Sequence, residues 1–127
     1  MLLLDLASRC EAATGPDREI DCLIHEWRFT ELTPAMRGMY YGEPTGEYFR
    51  DGGETTFRAP AYTASLDAAM SLVPEGWARW IYDADEWRCI CRLEDDNDRE
   101  VGANAATWPL AITAAALRAR GEGSLHG

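Results

Sequence analysis

The chain has 127 residues, 46% of them hydrophobic and 10% aromatic. That is the length of one domain, with enough apolar material to bury a core without disulfides or metal and too much for a disordered chain. Asp and Glu number 22 against 12 basic residues, and the resulting net charge of −10 repels a phosphate backbone, which argues against direct nucleic-acid binding.

No apolar run approaches the roughly 18 residues that span a bilayer. Met1 to Asp5 is too short, and has no preceding basic residue, for a secretory signal. A cytoplasmic protein with no membrane partner is expected. All the basic residues are Arg, and Lys and Gln are absent. A GC-rich coding sequence accounts for that bias. An acidic body carrying planar Arg forks would also suit a basic protein partner or a small phosphorylated ligand.

Leu3, Leu6, Ala7, Cys10 and Ala13 predict a short amphipathic helix ended by Gly15 and Pro16. A second helix follows, with Asp17 and Glu19 in its first turn and Ile20, Leu23, Ile24 and Trp27 on one stripe. Two helices joined this tightly should form a corner over one side of a sheet. Arg28 to Ala59 has no helical period. Its turn residues divide it into two or three short extended pieces, Met39–Tyr41, Tyr48–Arg50 and Thr55–Arg58.

Ser65 is a good N-cap for a third helix, with Asp67 in the first turn, an apolar stripe of Leu66, Ala69, Met70 and Val73, and Pro74 as the stop. A hairpin turning at Ala84 and Asp85 would pair Tyr82 with Trp87, Trp80 with Cys89 and Ala78 with Cys91, all inward. Its other face would then carry Trp77, Arg79, Ile81, Arg88, Ile90 and Arg92. After the charged loop EDDNDRE, Val101 to Ala106 can add a third strand. Thr107 caps a last helix with Pro109 in its first turn, Leu110, Ala114 and Leu117 facing inward, and Gly121 as its end. Residues 1–121 form a single domain in this reading, and 122–127 a frayed tail. The class is α+β, an antiparallel sheet of three or more strands layered with helices in the order α-α-(short β)-α-β-β-β-α.

Three stretches in this order, GPDREIDCLI, PAYTASLDAAMSLVPEGW and ATWPLAITAAALRAR, resemble the Phage ABA sandwich domain family of small phage and prophage proteins. Arg28 to Arg58 has no counterpart in that likeness. The resemblance implies an α-β-α layered fold and a phage or prophage origin, and it brings no catalytic residues.

Cys22 and His25 one helical turn apart, with Cys89 and Cys91 on one strand face, could in principle surround zinc. A zinc knuckle needs its pair in a turn, however, so core cysteines are expected. A Cys–His dyad would rest on His25, and a disulfide is unexpected in a cytoplasmic chain. Asp83, Asp85 and Glu94 copy part of a calcium loop, but Arg88 stands where the turn needs Gly. No phosphate-binding, dinucleotide, metalloprotease or nucleophile-elbow motif occurs. No catalytic residue, metal or cofactor is expected.

The remaining candidate is an arginine and aromatic binding surface. It comprises Trp77, Arg79, Arg88 and Arg92 on the hairpin, with Tyr40, Tyr41, Tyr48, Phe49, Arg50 and Arg58 from the irregular stretch. The plainer alternative has these arginines pairing with Asp83, Glu86 and Glu94 and half the aromatics filling a core. The expected function is non-catalytic binding by a phage-type anti-defence inhibitor, anti-CRISPR-like, that blocks a basic surface of a host protein. The alternatives are a sponge that sequesters a small nucleotide signal, with its pocket between subunits of a homo-oligomer, or an accessory phage protein.

Overall fold

A computed structural model describes residues 2–32, 39–41, 47–50, 55–58, 60–85 and 88–126, with side chains described at 3–25, 27, 60–82 and 88–121. The described residues form the helices α1 (Leu2–Ala12), α2 (Arg18–Leu32), α3 (Leu66–Met70) and α4 (Trp108–His126). They also form the strands β1 (Met39–Tyr41), β2 (Glu47–Arg50), β3 (Thr55–Arg58), β4 (Ala78–Asp85), β5 (Arg88–Glu94) and β6 (Glu100–Ala105). Class and element order are those the sequence implies. Each half of the strand set makes its own antiparallel sheet, β1-β2-β3 and β4-β5-β6.

The core is built around α4. Thr107 caps it, its hydroxyl accepting from the Leu110 N–H at 3.4 Å. Every residue from Leu110 to Leu117 is buried, not only the expected stripe of Leu110, Ala114 and Leu117. A helix that is apolar all round must be covered all round, and its run of alanines lets neighbours approach closely. Accordingly α1, α3, β5 and β6 all pack against it.

Gly121 does not end α4, which continues to His126. A Cβ at Gly121 would stand 3.1 Å from Leu4 Cδ2 and 3.6 Å from Leu3 Cβ. The glycine therefore serves the close approach of α1 to α4 rather than a helix stop.

The helix caps follow local chemistry. Asp17 proves to be the N-cap of α2 rather than part of its first turn, its Oδ1 accepting from the N–H groups of Glu19 at 2.9 Å and Ile20 at 3.2 Å. Ser65 caps α3 as expected, accepting from the Ala68 N–H at 3.3 Å. That helix is only one turn long, however, and Leu66 is 50% exposed while Leu72, beyond its end, is fully buried. The expected stripe needed two turns; Ser71 ends the helix first.

Pairings in the second sheet overturn the expected hairpin register. Trp80 lies opposite Arg92, Ile81 opposite Cys91 and Tyr82 opposite Ile90, with an irregularity between Asp83 and Asp85. Ala84 and Asp85 belong to the strand, not to a turn, and Trp87 lies outside the described residues. The shift is odd, so every β4 side chain changes face relative to β5. Trp80 and Tyr82 consequently share a face with Ile90 and Arg92, while Arg79 and Ile81 share one with Cys91 and Leu93.

The physical reason lies in coverage. Cys91 and Leu93 join Val101, Ala103 and Ala105 in the core beneath α4, so β5 and β6 have a defined inner face. In β4, by contrast, all of Ala78 to Tyr82 are exposed, so its alternation is not enforced by burial. The described helices α1 to α4 all contribute to this one core on the Cys91 face. The opposite face carries exposed Trp80, Tyr82 and Arg92. No described helix is long and apolar enough to cross a membrane.

Candidate functional site

Large apolar side chains left in water are informative when they are contiguous. Trp80 is 49%, Ile81 40% and Tyr82 46% exposed, three in succession on β4. Trp80 and Tyr82, with Arg92 and Glu94 of β5, line a cleft of about 220 Å³ on the open face. Arg92 Nη2 donates to Glu100 Oε2 at 2.7 Å across to β6. That hydrogen bond raises the Arg92 pKa and lowers the Glu100 carboxyl below its usual range. The surface is therefore an aromatic pair bordered by one cation and two carboxylates.

Four of the sequence-predicted site residues, Trp77, Arg79, Arg88 and Arg92, have described side chains, and these four lie at different places on the sheet. Arg92 lies in the cleft. Arg79 is exposed on the other face, and its side chain makes no hydrogen bond or ion pair with a described residue. Arg88 wraps the far edge of the sheet: its Nε donates to Asn104 Oδ1 at 2.7 Å, and its Nη2 to the carbonyls of Asn104 at 2.7 Å and Glu11 at 3.2 Å. It is an architectural residue. Trp77 is half-buried ahead of β4, with the Arg99 guanidinium 5.5 Å from its ring centroid. Of the expected partners of these arginines, Glu94 only borders the cleft, and the side chains of Asp83 and Glu86 lie outside the described residues.

Strand pairing sets Tyr40 opposite Phe49, Tyr41 opposite Tyr48, Arg50 opposite Met39 and Arg58 opposite Glu47. The side chains of these six predicted residues lie outside the described residues. Trp80, Tyr82, Glu94 and Glu100 were missed as site residues. The alternation of Cys91 and Leu93 with Val101, Ala103 and Ala105 was the signal that could have found them, because it marks the covered face and so exposes the other.

Cys22, His25, Cys89 and Cys91 do not gather; among the described residues no three His, Cys, Asp or Glu form a group able to hold a metal ion. Burial pushes the Cys10 thiol up to about 12, with Asp21 and Asp17 adding to the effect. Burial likewise raises Cys91 to about 11 against the opposing charge of Arg79. Both thiols stay protonated at neutral pH and are poor nucleophiles.

A buried polar cluster, not legible from spacing, joins α2 to the loop before α3. Asp21 Oδ1 accepts from the Thr63 N–H and hydroxyl, both at 2.9 Å, and Oδ2 pairs with Arg18 Nη1 at 2.8 Å. Burial raises the Asp21 carboxyl pKa, with the Thr63 and Arg18 bonds opposing the shift. The Tyr62 carbonyl in turn accepts from the Thr113 hydroxyl at 2.8 Å. Both carboxylate oxygens of Asp21 are used within the fold, so the cluster is structural.

The sheet's two edges differ. At β6 the Asn104 N–H donates to Glu11 Oε2 at 2.9 Å, the Gly102 carbonyl accepts from Arg118 Nη1 at 2.9 Å, and Arg88 takes the Asn104 carbonyl. Glu11 also pairs with Arg118. The Arg118 hydrogen bond is the main cause holding the Glu11 carboxyl below its usual range. At β4 the outer edge faces no described strand.

Comparison with protein-family models, with curated proteins and with solved structures finds no match.

Proposed function

We propose that the protein is a non-catalytic binding module that works by covering a basic surface on another protein. The observation that carries this reading is the exposed Trp80–Tyr82 pair beside Arg92, Glu94 and Glu100 on a sheet face that no described helix covers. Aromatic residues and Arg concentrate binding energy because they offer large area with few rotamers to lose. The carboxylates around them, together with a net charge of −10, favour encounter with a positive partner.

A protein partner is favoured over a small nucleotide for two reasons. The cleft is about 220 Å³, below the roughly 300–1,000 Å³ of ordinary ligand sites. Glu94 and Glu100 also surround Arg92, the group that would have to grip phosphate. The likeness to the Phage ABA sandwich domain family belongs to the same proposal. It makes the specific target a bacterial defence factor whose basic surface meets nucleic acid, which is the mode of an anti-CRISPR-like inhibitor.

The test is capture of partners from bacterial host lysate on the immobilised protein, beside a Trp80→Ala/Tyr82→Ala variant. The expected result is a stoichiometric basic partner that is released as salt rises and is lost from the variant. A partner retained equally by the variant, or none at low salt, refutes the reading. A thermal shift with cyclic or linear nucleotides would instead support sequestration, since ligand at a hundred times its Kd adds about 2.7 kcal/mol.

A further inference from the structure

Natural sheets protect their edges because unpaired backbone groups on a long apolar strand recruit another strand. Here one edge is closed by described side chains, while the other faces no described strand and departs from regular pairing only between Asp83 and Asp85. Side chains of Glu11, Arg88 and Arg118 occupy the outward backbone groups of Gly102 and Asn104 on β6. β4 is eight residues long, contains no Pro or Lys, and exposes Trp80, Ile81 and Tyr82 together. An occupant of that edge must match its side chains.

The strand matches itself. Its central residues read Arg79-Trp80-Ile81-Tyr82-Asp83. Consider a second copy laid antiparallel along the edge, with a two-fold axis normal to the sheet beside Ile81. Ile81 then stands opposite Ile81, Trp80 opposite Tyr82 and Arg79 opposite Asp83, the last residue before the irregularity of β4. A two-fold interface must be complementary to itself in this way. Moving the axis one residue either way breaks the match: at Trp80 it sets Arg79 against Ile81, and at Tyr82 it sets Ile81 against Asp83. An axis normal to the sheet also keeps each side chain on its own face. The helical layers of the two copies therefore stay on one side, and the open faces merge on the other.

We infer that the partner of the β4 edge is a second copy of this chain, the two copies pairing antiparallel about Ile81 to form one continuous sheet. Opposite charges and aromatic pairs directly across antiparallel strands are the contacts that select a register. The dimer places two Trp80–Tyr82 pairs side by side at its centre and doubles the open face. Trp80 and Tyr82 serve both the dimer and the cleft, but the test reads the dimer through Arg79, Ile81 and Asp83, none of which lines the cleft, so its failure would leave the binding role of that face standing.

Sedimentation of the full-length protein over a concentration series tests the inference. A reversible dimer is expected. Arg79→Asp sets like charges opposite each other at two symmetric places, as does Asp83→Arg, and each change should raise the dimer dissociation constant about tenfold or more. Joining the two in one chain restores opposite charges and should bring the constant back to within about threefold of the starting value. Circular dichroism of each variant checks that the monomer is folded, and Ile81→Lys provides a second disruption at the axis. A protein that is monomeric throughout overturns the inference. So does a dimer indifferent to the single charge changes, or a double variant that fails to recover.

Discussion

The β6 and β4 edges belong to one three-stranded sheet, yet they meet opposite fates. β6 lies beneath α4 and beside α1, close enough for Glu11 and Arg118 to reach its backbone from two different helices. β4 projects beyond that helical cover, and its described side chains are exposed on both faces. An edge within reach of a helix can be closed by side chains at the cost of a few ordered rotamers. An edge beyond that reach keeps its pairing capacity, and the protein puts its aromatic residues there. Edge protection is thus a consequence of helix placement rather than of strand composition alone.

The largest effect on this contrast should come from Glu11→Ala. It strips the β6 edge of its acceptor and leaves Arg118 without its carboxylate, both groups being half-buried. Denaturant unfolding should show a loss of about 2 kcal/mol, whereas Arg79→Ala on the β4 edge should leave monomer stability within about 0.5 kcal/mol. Equal losses at the two edges would abolish the distinction. Next in size is Arg88→Ala, which frees the carbonyls of Asn104 and Glu11 and should cost about 1–2 kcal/mol.

Acid provides a third handle. The Glu11 carboxyl is held below its ordinary value of 4.5 in the folded state. Its contribution is therefore fully present above that pH and is lost as pH falls through the depressed folded value. Stability measured below pH 4.5 should decline less steeply for Glu11→Gln than for the native chain. A parallel decline would mean that this carboxylate does not hold the edge. The smallest effect is expected for Arg92→Ala. Its bond to Glu100 is solvent-exposed on both sides, so the unfolding midpoint should not move measurably, while binding through the open face should weaken.

Much of the fold was legible because it depends on neighbours in the chain. Ser65 and Thr107 announce helix starts, and Val101, Ala103 and Ala105 alternate as a half-buried strand must. The site was harder to see. Trp80 and Tyr82 have the period of a strand with a buried apolar face, and that period by itself predicts them inside. Burial depends on whether a helix lies above, however, and α4 stops at β5. Arg88 looked like a surface cation yet closes a sheet edge through the carbonyl of Glu11, 77 residues away. Thr63 and Asp21 meet across 42 residues, a distance that no local pattern spans.

Chain-local chemistry therefore settled the order of helices and strands, the α+β class and most of the caps, since propensity and capping bonds act over a turn or two. Which strand is covered, which edge is closed and which arginine remains available were decided only when α1 and α4 came together over β5 and β6. A repeat of two records which residues share a face; only packing at long range says which face meets water.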